Sequence, residues 1–295
     1  MTTQANLIIG VKEIIQDSIF TSERILDYLN QAQRQIAGGM LIMYPDKTQV
    51  ISSPLPDLST NSELTTSTTL PYISMPSDYG RNLFFLVSST NELEIILCDS
   101  YAELLRMYPN LDNTSRVVTA AVSGKLLYSQ GYPSTAETLV AYYHRLPYDM
   151  ATITGATDIS FTTTTNVITD VGKGLGIFHV GQTIDVTGTT NNNDALTITA
   201  VATSGATVTV SETLTTEANQ SATIKSRPDG LPIHLHESLF ENWCAWKIFE
   251  RKTKNDVPME AEAKRYHGLF LGSMLNLESE IEEVQGPIRI MSGLY

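Results

Sequence analysis

Residues 232–283 read PIHLHESLFENWCAWKIFERKTKNDVPMEAEAKRYHGLFLGSMLNLESEIEE, and their reading decides the fold. Ile233, Leu235, Leu239, Phe240, Trp243, Trp246 and Phe249 recur mostly at helical spacing, with Glu237, Glu241, Lys247 and Glu250 between them. Pro232 stands where a helix favours beginning, because its missing N–H would have no intrahelical partner there. Ala261, Ala263, Tyr266, Leu269, Phe270, Met274 and Leu277 form a second apolar stripe, and Val257-Pro258 separates the two. The pattern predicts two helices folded back as a hairpin. Stripes this aromatic must be covered, and the candidate cover is the helical stretch near the N-terminus.

That stretch starts with a short helix over Leu7 to Gln16, apolar on one side. Thr21 or Ser22 then reads as the N-cap of a helix carrying Ile25, Leu26, Leu29, Ala32, Gln33 and Ile36, which Gly38-Gly39 ends. Its other face, Asp27, Asn30, Gln31 and Arg34, is polar enough for solvent or a neighbour. Tyr44 to Thr69 reads as loop. Strands follow at residues 70–76, 83–87, 93–97, 117–122, 126–129 and 139–143, with a helix capped by Ser100 and stopped by Pro109 among them. These predict a small antiparallel sheet assembly.

Residues 151–226 are rich in Thr, Asn, Gly, Val and Ile, with apolar residues alternating at Ile184, Val186, Leu196, Ile198, Val208 and Val210. They read as an all-β module, with a sandwich or barrel as its natural closure. The expected fold class is therefore α+β: a helical core from both chain ends, a small antiparallel β region, and an inserted all-β sandwich- or barrel-like module. The expected organisation is a discontinuous core of residues 1–150 and 227–284, an inserted module at 151–226, and a C-terminal arm at 285–295. The arm, QGPIRIMSGLY, offers Ile288, Ile290, Leu294 and Tyr295 for contact with a neighbouring chain.

The balance of 19 basic against 32 acidic residues gives a net charge of −13. An acidic surface argues against nucleic-acid binding, which needs cations to replace phosphate counterions. The N-terminus lacks the basic region of a secretion signal, and no run reaches the roughly 18 apolar residues of a spanning helix. Cys98 and Cys244 are far apart and read as two small buried hydrophobes.

Little in the sequence points to chemistry. His234 and His236 flank Leu235, but side chains two apart on a helix point to different faces and cannot easily share an ion. Gly172 to Gly176 lacks the ending of a phosphate loop and precedes a strand. Asp185, Asp194 and Asn191 to Asn193 do not follow the order of an EF-hand and read as turn residues. Arg251, Lys252 and Lys254 read as a solvated helix end. Glu278, Glu280, Glu282 and Glu283 form an acidic run, read either as a solvated helix face or as the wall of a channel. No catalytic, cofactor-binding or metal-binding residue is assigned.

The order of parts resembles a known family. Ile25-Leu26-Asp27-Tyr28-Leu29-Asn30 comes first, then Met75-Pro76-Ser77-Asp78-Tyr79, Leu93-Glu94-Ile95-Ile96 and a short helix ending Tyr108-Pro109. Ala141-Tyr142-Tyr143-His144-Arg145-Leu146-Pro147 follows, and last Leu231-Pro232-Ile233-His234-Leu235-His236-Glu237-Ser238-Leu239. This resembles the head-to-tail adaptor (connector or tail tubular) proteins of short-tailed bacteriophages, over about residues 5–150 and 228–284. Residues 151–226 depart from the simpler members and are similar to the β modules that decorate phage structural proteins.

The resemblance implies a structural virion protein, assembled in the host cytoplasm, with no enzymatic activity and no cofactor. It implies a homo-oligomeric ring of twelve copies docked beneath the portal protein. A tail nozzle or tail tube protein, and tail fibres, would attach below. DNA would pass through the lumen without specific binding, no membrane would be involved, and Glu278, Glu280, Glu282 and Glu283 would be the lumen-facing acids. The C-terminal extension would reach onto the portal. Two other classes stand beside this one: a receptor- or glycan-binding tail protein using the β module, and a cell-wall hydrolase with carboxylates such as Asp78 and Glu103, which no spacing supports.

Overall fold

The computed structural model describes residues 3–43, 49–155, 158–252 and 257–285, without the side chains of Met43, Gln49, Val50, Asn219, Val257, Pro258 and residues 283–285. The chain opens with α1 (Gln4–Ile15), α2 (Ser22–Gly38) and a ribbon of β1 (Leu41–Met43) and β2 (Gln49–Ile51). Next come β3 (Ser59–Thr65), β4 (Tyr72–Ser74), β5 (Tyr79–Ser88), β6 (Leu93–Glu94), β7 (Ile96–Leu97), α3 (Tyr101–Met107), β8 (Thr119–Ser123), β9 (Leu126–Ser129) and β10 (Thr138–Arg145). A third stretch gives β11 (Thr152–Thr154), β12 (Ile159–Thr162), β13 (Val167–Asp170), β14 (Thr183–Thr187), β15 (Ala195–Val201), β16 (Thr207–Val210), β17 (Glu217–Gln220) and β18 (Thr223–Ser226). The last helices are α4 (Asn242–Lys252) and α5 (Val257–Gln285).

Two compact units divide the chain: Met1–Ile36, Met40–Ser52 and Pro147–Tyr295 in one, Ala37–Gly39 and Ser53–Leu146 in the other. The second unit holds two four-stranded sheets, ordered β3-β10-β5-β6 and β4-β9-β8-β7. The predicted strand at 93–97 divides at Ile95: β6 pairs antiparallel with β5, while β7 pairs parallel with β8. Ile95 is buried with Leu86, Leu127, Leu139 and Tyr143 in one core drawn from both sheets. Ser100 caps α3 by accepting from Glu103 N–H, and Glu103 in turn accepts from Asp99 N–H.

The first unit holds an eight-stranded sheet ordered β11-β18-β14-β15-β16-β13-β12-β17. A register shift between Ile198 and Ala200 bends β15, the strand shared by the two halves. Ile168, Ile184, Leu196, Val208 and Ile224, from both halves, then pack into one apolar core.

These sheets overturn the expected fold class. The protein is mostly β, with three sheets of 4, 4 and 8 strands beside the β1–β2 ribbon among the described residues, and is not a helical α+β core carrying a separate β module. One reason is β3: residues 59–65 read as loop because they are almost wholly polar, yet the strand pairs with β10 from Thr138↔Thr65 to His144↔Ser59. Another is α2, whose polar side chains hold the chain leading into the eight-stranded sheet. Asn30 donates to Met150 C=O and accepts from Met150 N–H, at 3.0 and 2.7 Å. Gln33 donates to Tyr148 C=O at 2.6 Å and accepts from Asp229 N–H at 2.9 Å, and Arg34 pairs with Asp149. Terminal helices and eight-stranded sheet therefore share one unit.

The helical part also departs from the predicted hairpin. The Pro-led segment is not α-helical: Ile233–Leu235 form a 3-10 turn and Glu237–Glu241 a π turn before α4 begins. Val257-Pro258 does not separate the helices but opens α5, where the first-turn N–H groups have no intrahelical partner. The helices still run antiparallel, with Trp246 stacked on His267 at 4.1 Å and Phe249 on Tyr266 at 5.6 Å. The N-terminal helices cover them: Trp243 Nε1 donates to Gln35 Oε1, Tyr28 lies 6.4 Å from Trp243, and Ile14 packs against the Phe249 cluster.

Candidate assembly surfaces

The outer side of α5 carries small residues. Ala261, Arg265, Gly268, Gly272, Asn276 and Ser279 follow mostly at four-residue steps with Leu269 beside Gly268, and all are exposed. Leu269 is 47% exposed, and a Cβ added at Gly268 or Gly272 would meet nothing. The inner side carries Phe270, Met274, Leu277 and Ile281 into the core.

The acidic run at the end of α5 does not share one surface. Glu278 is buried, Glu280 accepts from His234 Nε2 at 2.5 Å, and Glu282 is exposed. The Glu283 side chain, and Ile288, Ile290, Leu294 and Tyr295 of the arm, lie outside the described residues.

A second feature lies where α1 meets the π turn. Glu241, its last residue, lies against Gly10 so closely that a Cβ there would run into Glu241 Oε1. The carboxyl is half-buried, and Glu237 and Glu13 stand near it. Burial first, then these two charges, push its pKa up to about 7. π turns interrupt α-helices where a side chain must be re-aimed, often at functional positions.

The third feature is a groove of about 700 Å³ between α1, α2 and the outer face of β11 and β18. Ile8, Ile9 and Leu26 supply its apolar surface, Lys12 and Lys225 its cations, and Thr154 is among its hydroxyls. Ile9 is 53% exposed. Sequence reading passed over both the groove and the Glu241 contact. The groove had a signal, since Asn6 to Val11 of α1, NLIIGV, holds more apolar residues than one stripe requires. The Glu241–Gly10 contact had none, because its partners are joined only by the fold.

Several of the other polar groups are engaged locally. His236 donates from Nε2 to Leu231 C=O at 2.9 Å, and burial holds its pKa below the usual histidine value. Asp170 accepts from Gly172 and Gly174 N–H, taking up backbone donors that a phosphate would need. Asp185 is paired with Arg227 at 2.6 Å, both largely buried. Asn191 donates to Glu217, and Asn192 bonds the Thr215 backbone in both directions. Cys98 and Cys244 are free thiols, Cys244 buried. Among the described residues, no three His, Cys, Asp or Glu side chains are placed to share a metal, and no helix is long and apolar enough to cross a membrane.

The motif segments Met75–Tyr79 and Ala141–Pro147 converge around Asp78. Tyr143 donates its phenolic O–H to Asp78 Oδ1 at 2.7 Å, and Leu146 N–H donates to Asp78 C=O. No family model matches the chain, and no curated protein does. Among solved structures, the flagellar hook junction protein FlgK from Burkholderia pseudomallei is aligned at a TM-score of 0.15 and 10% identity over 96% of this chain. The chain spans 60% of that protein, and a likeness at this level carries no inference about fold or function.

Proposed function

We propose that the chain is a structural subunit of a bacteriophage virion: a ring adaptor between portal and tail, with DNA passing through its opening and tail proteins docked below. The observation that carries this reading is the outer face of α5. A helix of 29 residues with Gly268, Leu269 and Gly272 uncovered on one side lets a second helix approach closely, as the repeated contact of a ring requires. The lock of Tyr143 and Leu146 onto Asp78 also supports it, because it gives two of the motif segments behind the resemblance one shared structural task. The net charge of −13 suits a passage that must not retain a polyanion.

The test is reconstitution with the portal protein of the same virion. Stoichiometric, ring-shaped complexes in negative-stain images, lost with Gly268→Trp and Gly272→Trp, are the expected result. A chain that neither binds the portal nor assembles on it overturns the reading.

A further inference from the structure

We propose that the groove between α1, α2 and the β11–β18 face receives an apolar, carboxylate-bearing segment of a second copy of this chain. The argument begins in α1. Leu7, Val11 and Ile15 are buried in the chain's own core, which is one full helical stripe. Ala5, Ile8 and Ile9 form another, turned to the groove, and a helix apolar on two sides calls for cover on both. The fold covers the first fully, whereas in the second Ala5 and Ile8 are only half-buried and Ile9 is exposed.

Charge decides which cover fits. Lys12 stands on α1 and Lys225 on β18, both lining the groove. Lys12 donates to Ser22 Oγ at 2.8 Å, and neither ammonium has a carboxylate partner among the described residues. Glu23 is the groove's single acid, so its lining is net cationic in a chain of 32 acids and 19 bases. Another copy of so acidic a chain presents mostly carboxylates, which complements this lining. A groove on one copy filled by a different surface of the next is a heterologous contact, which gives a ring where the rotation between copies closes.

The inference rests on the reading that copies of this chain assemble, and its test is separate from portal binding. A benzophenone amino acid replaces Ile9 in the full chain, and the purified protein is irradiated at high micromolar concentration. The expected product is a covalent dimer whose second partner peptide contains Asp or Glu. Lys12→Glu with Lys225→Glu should lower its yield about tenfold, and raised salt should lower it as well. Circular dichroism checks that the substitutions, at exposed Ile9 and Lys12 and half-buried Lys225, leave the fold intact. Three results overturn the proposal: no dimer, a dimer indifferent to charge reversal and salt, or crosslinks only to added portal protein. Portal binding that persists without the self-crosslink removes this inference and leaves the adaptor reading standing.

Discussion

Replacing Glu241 by Gln should make the protein more stable at pH 8 and much less so at pH 5. The carboxyl sits half-buried against Gly10, with Glu13 and Glu237 nearby, and its pKa is raised from the ordinary 4.5 to about 7. Between those values the folded chain keeps a proton that the unfolded chain has released. Stability therefore falls as pH rises through this window, and the loss is complete above about pH 7. At about 1.36 kcal/mol for each tenfold change in proton affinity, the cost at pH 8 is at most about 3 kcal/mol. Solvent reaches part of the carboxylate, and screening reduces this to about 1–2 kcal/mol. Glu241→Gln removes the ionisation while keeping size and shape. Thermal unfolding followed by circular dichroism from pH 5 to 9 should show the variant's Tm rising above the parent's by roughly 2–6 °C at the alkaline end. Parallel curves for the two proteins across the whole range would refute the reasoning.

Gly10→Ala pushes aside only the flexible end of Glu241 and gains up to about 1 kcal/mol of helix propensity, so it should change stability by less than about 1 kcal/mol in thermal unfolding; a loss above about 2 kcal/mol would show that the Glu241 carboxyl cannot move. Asn30→Ala leaves the N–H and C=O of buried Met150 without their partner, and should cost about 1–3 kcal/mol in urea denaturation. Asp185→Ala strands the largely buried Arg227 guanidinium and should cost about 3 kcal/mol, whereas replacing both residues should cost less than the single change. Trp243→Ala empties a fully buried site beside Tyr28 and Gln35, and should cost about 3–5 kcal/mol by the same measurement.

The sequence showed some elements clearly because their signals are local. Ser100 and Glu103 mark the start of α3 in four residues, and Leu29, Ala32 and Ile36 place the buried stripe of α2. The alternation at Ile184, Val186, Leu196 and Ile198 likewise points straight to strands. What escaped depends on partners distant in the chain. β3 is polar and becomes a strand because β10 offers it a ladder. Asn30 reads as a residue of the polar face and Gln33 as one of the inner stripe, and neither shows its partner until the backbone it binds is in place. The expected α+β class failed for this reason. Helical periodicity is conspicuous in single sequences, whereas Thr-rich strands bury only every second residue and declare themselves weakly. At the candidate surfaces, the excess of apolar residues in α1 was readable, but which of them would remain uncovered was not.

The clasp that α2 places on the flanks of the eight-stranded sheet reads main chain alone wherever Asn30 and Gln33 are concerned: Tyr148, Met150 and Asp229 are gripped by peptide groups. Every amino acid has a carbonyl, and all but proline an amide hydrogen, so such a socket is indifferent to most substitutions in what it holds. Residues between the two gripped points can drift, lengthen or be exchanged for another cassette of strands while the helical partner keeps the same two side chains. The joint that anchors the largest sheet is thus also the place where evolution, or an engineer, can swap the sheet with least disturbance to the rest.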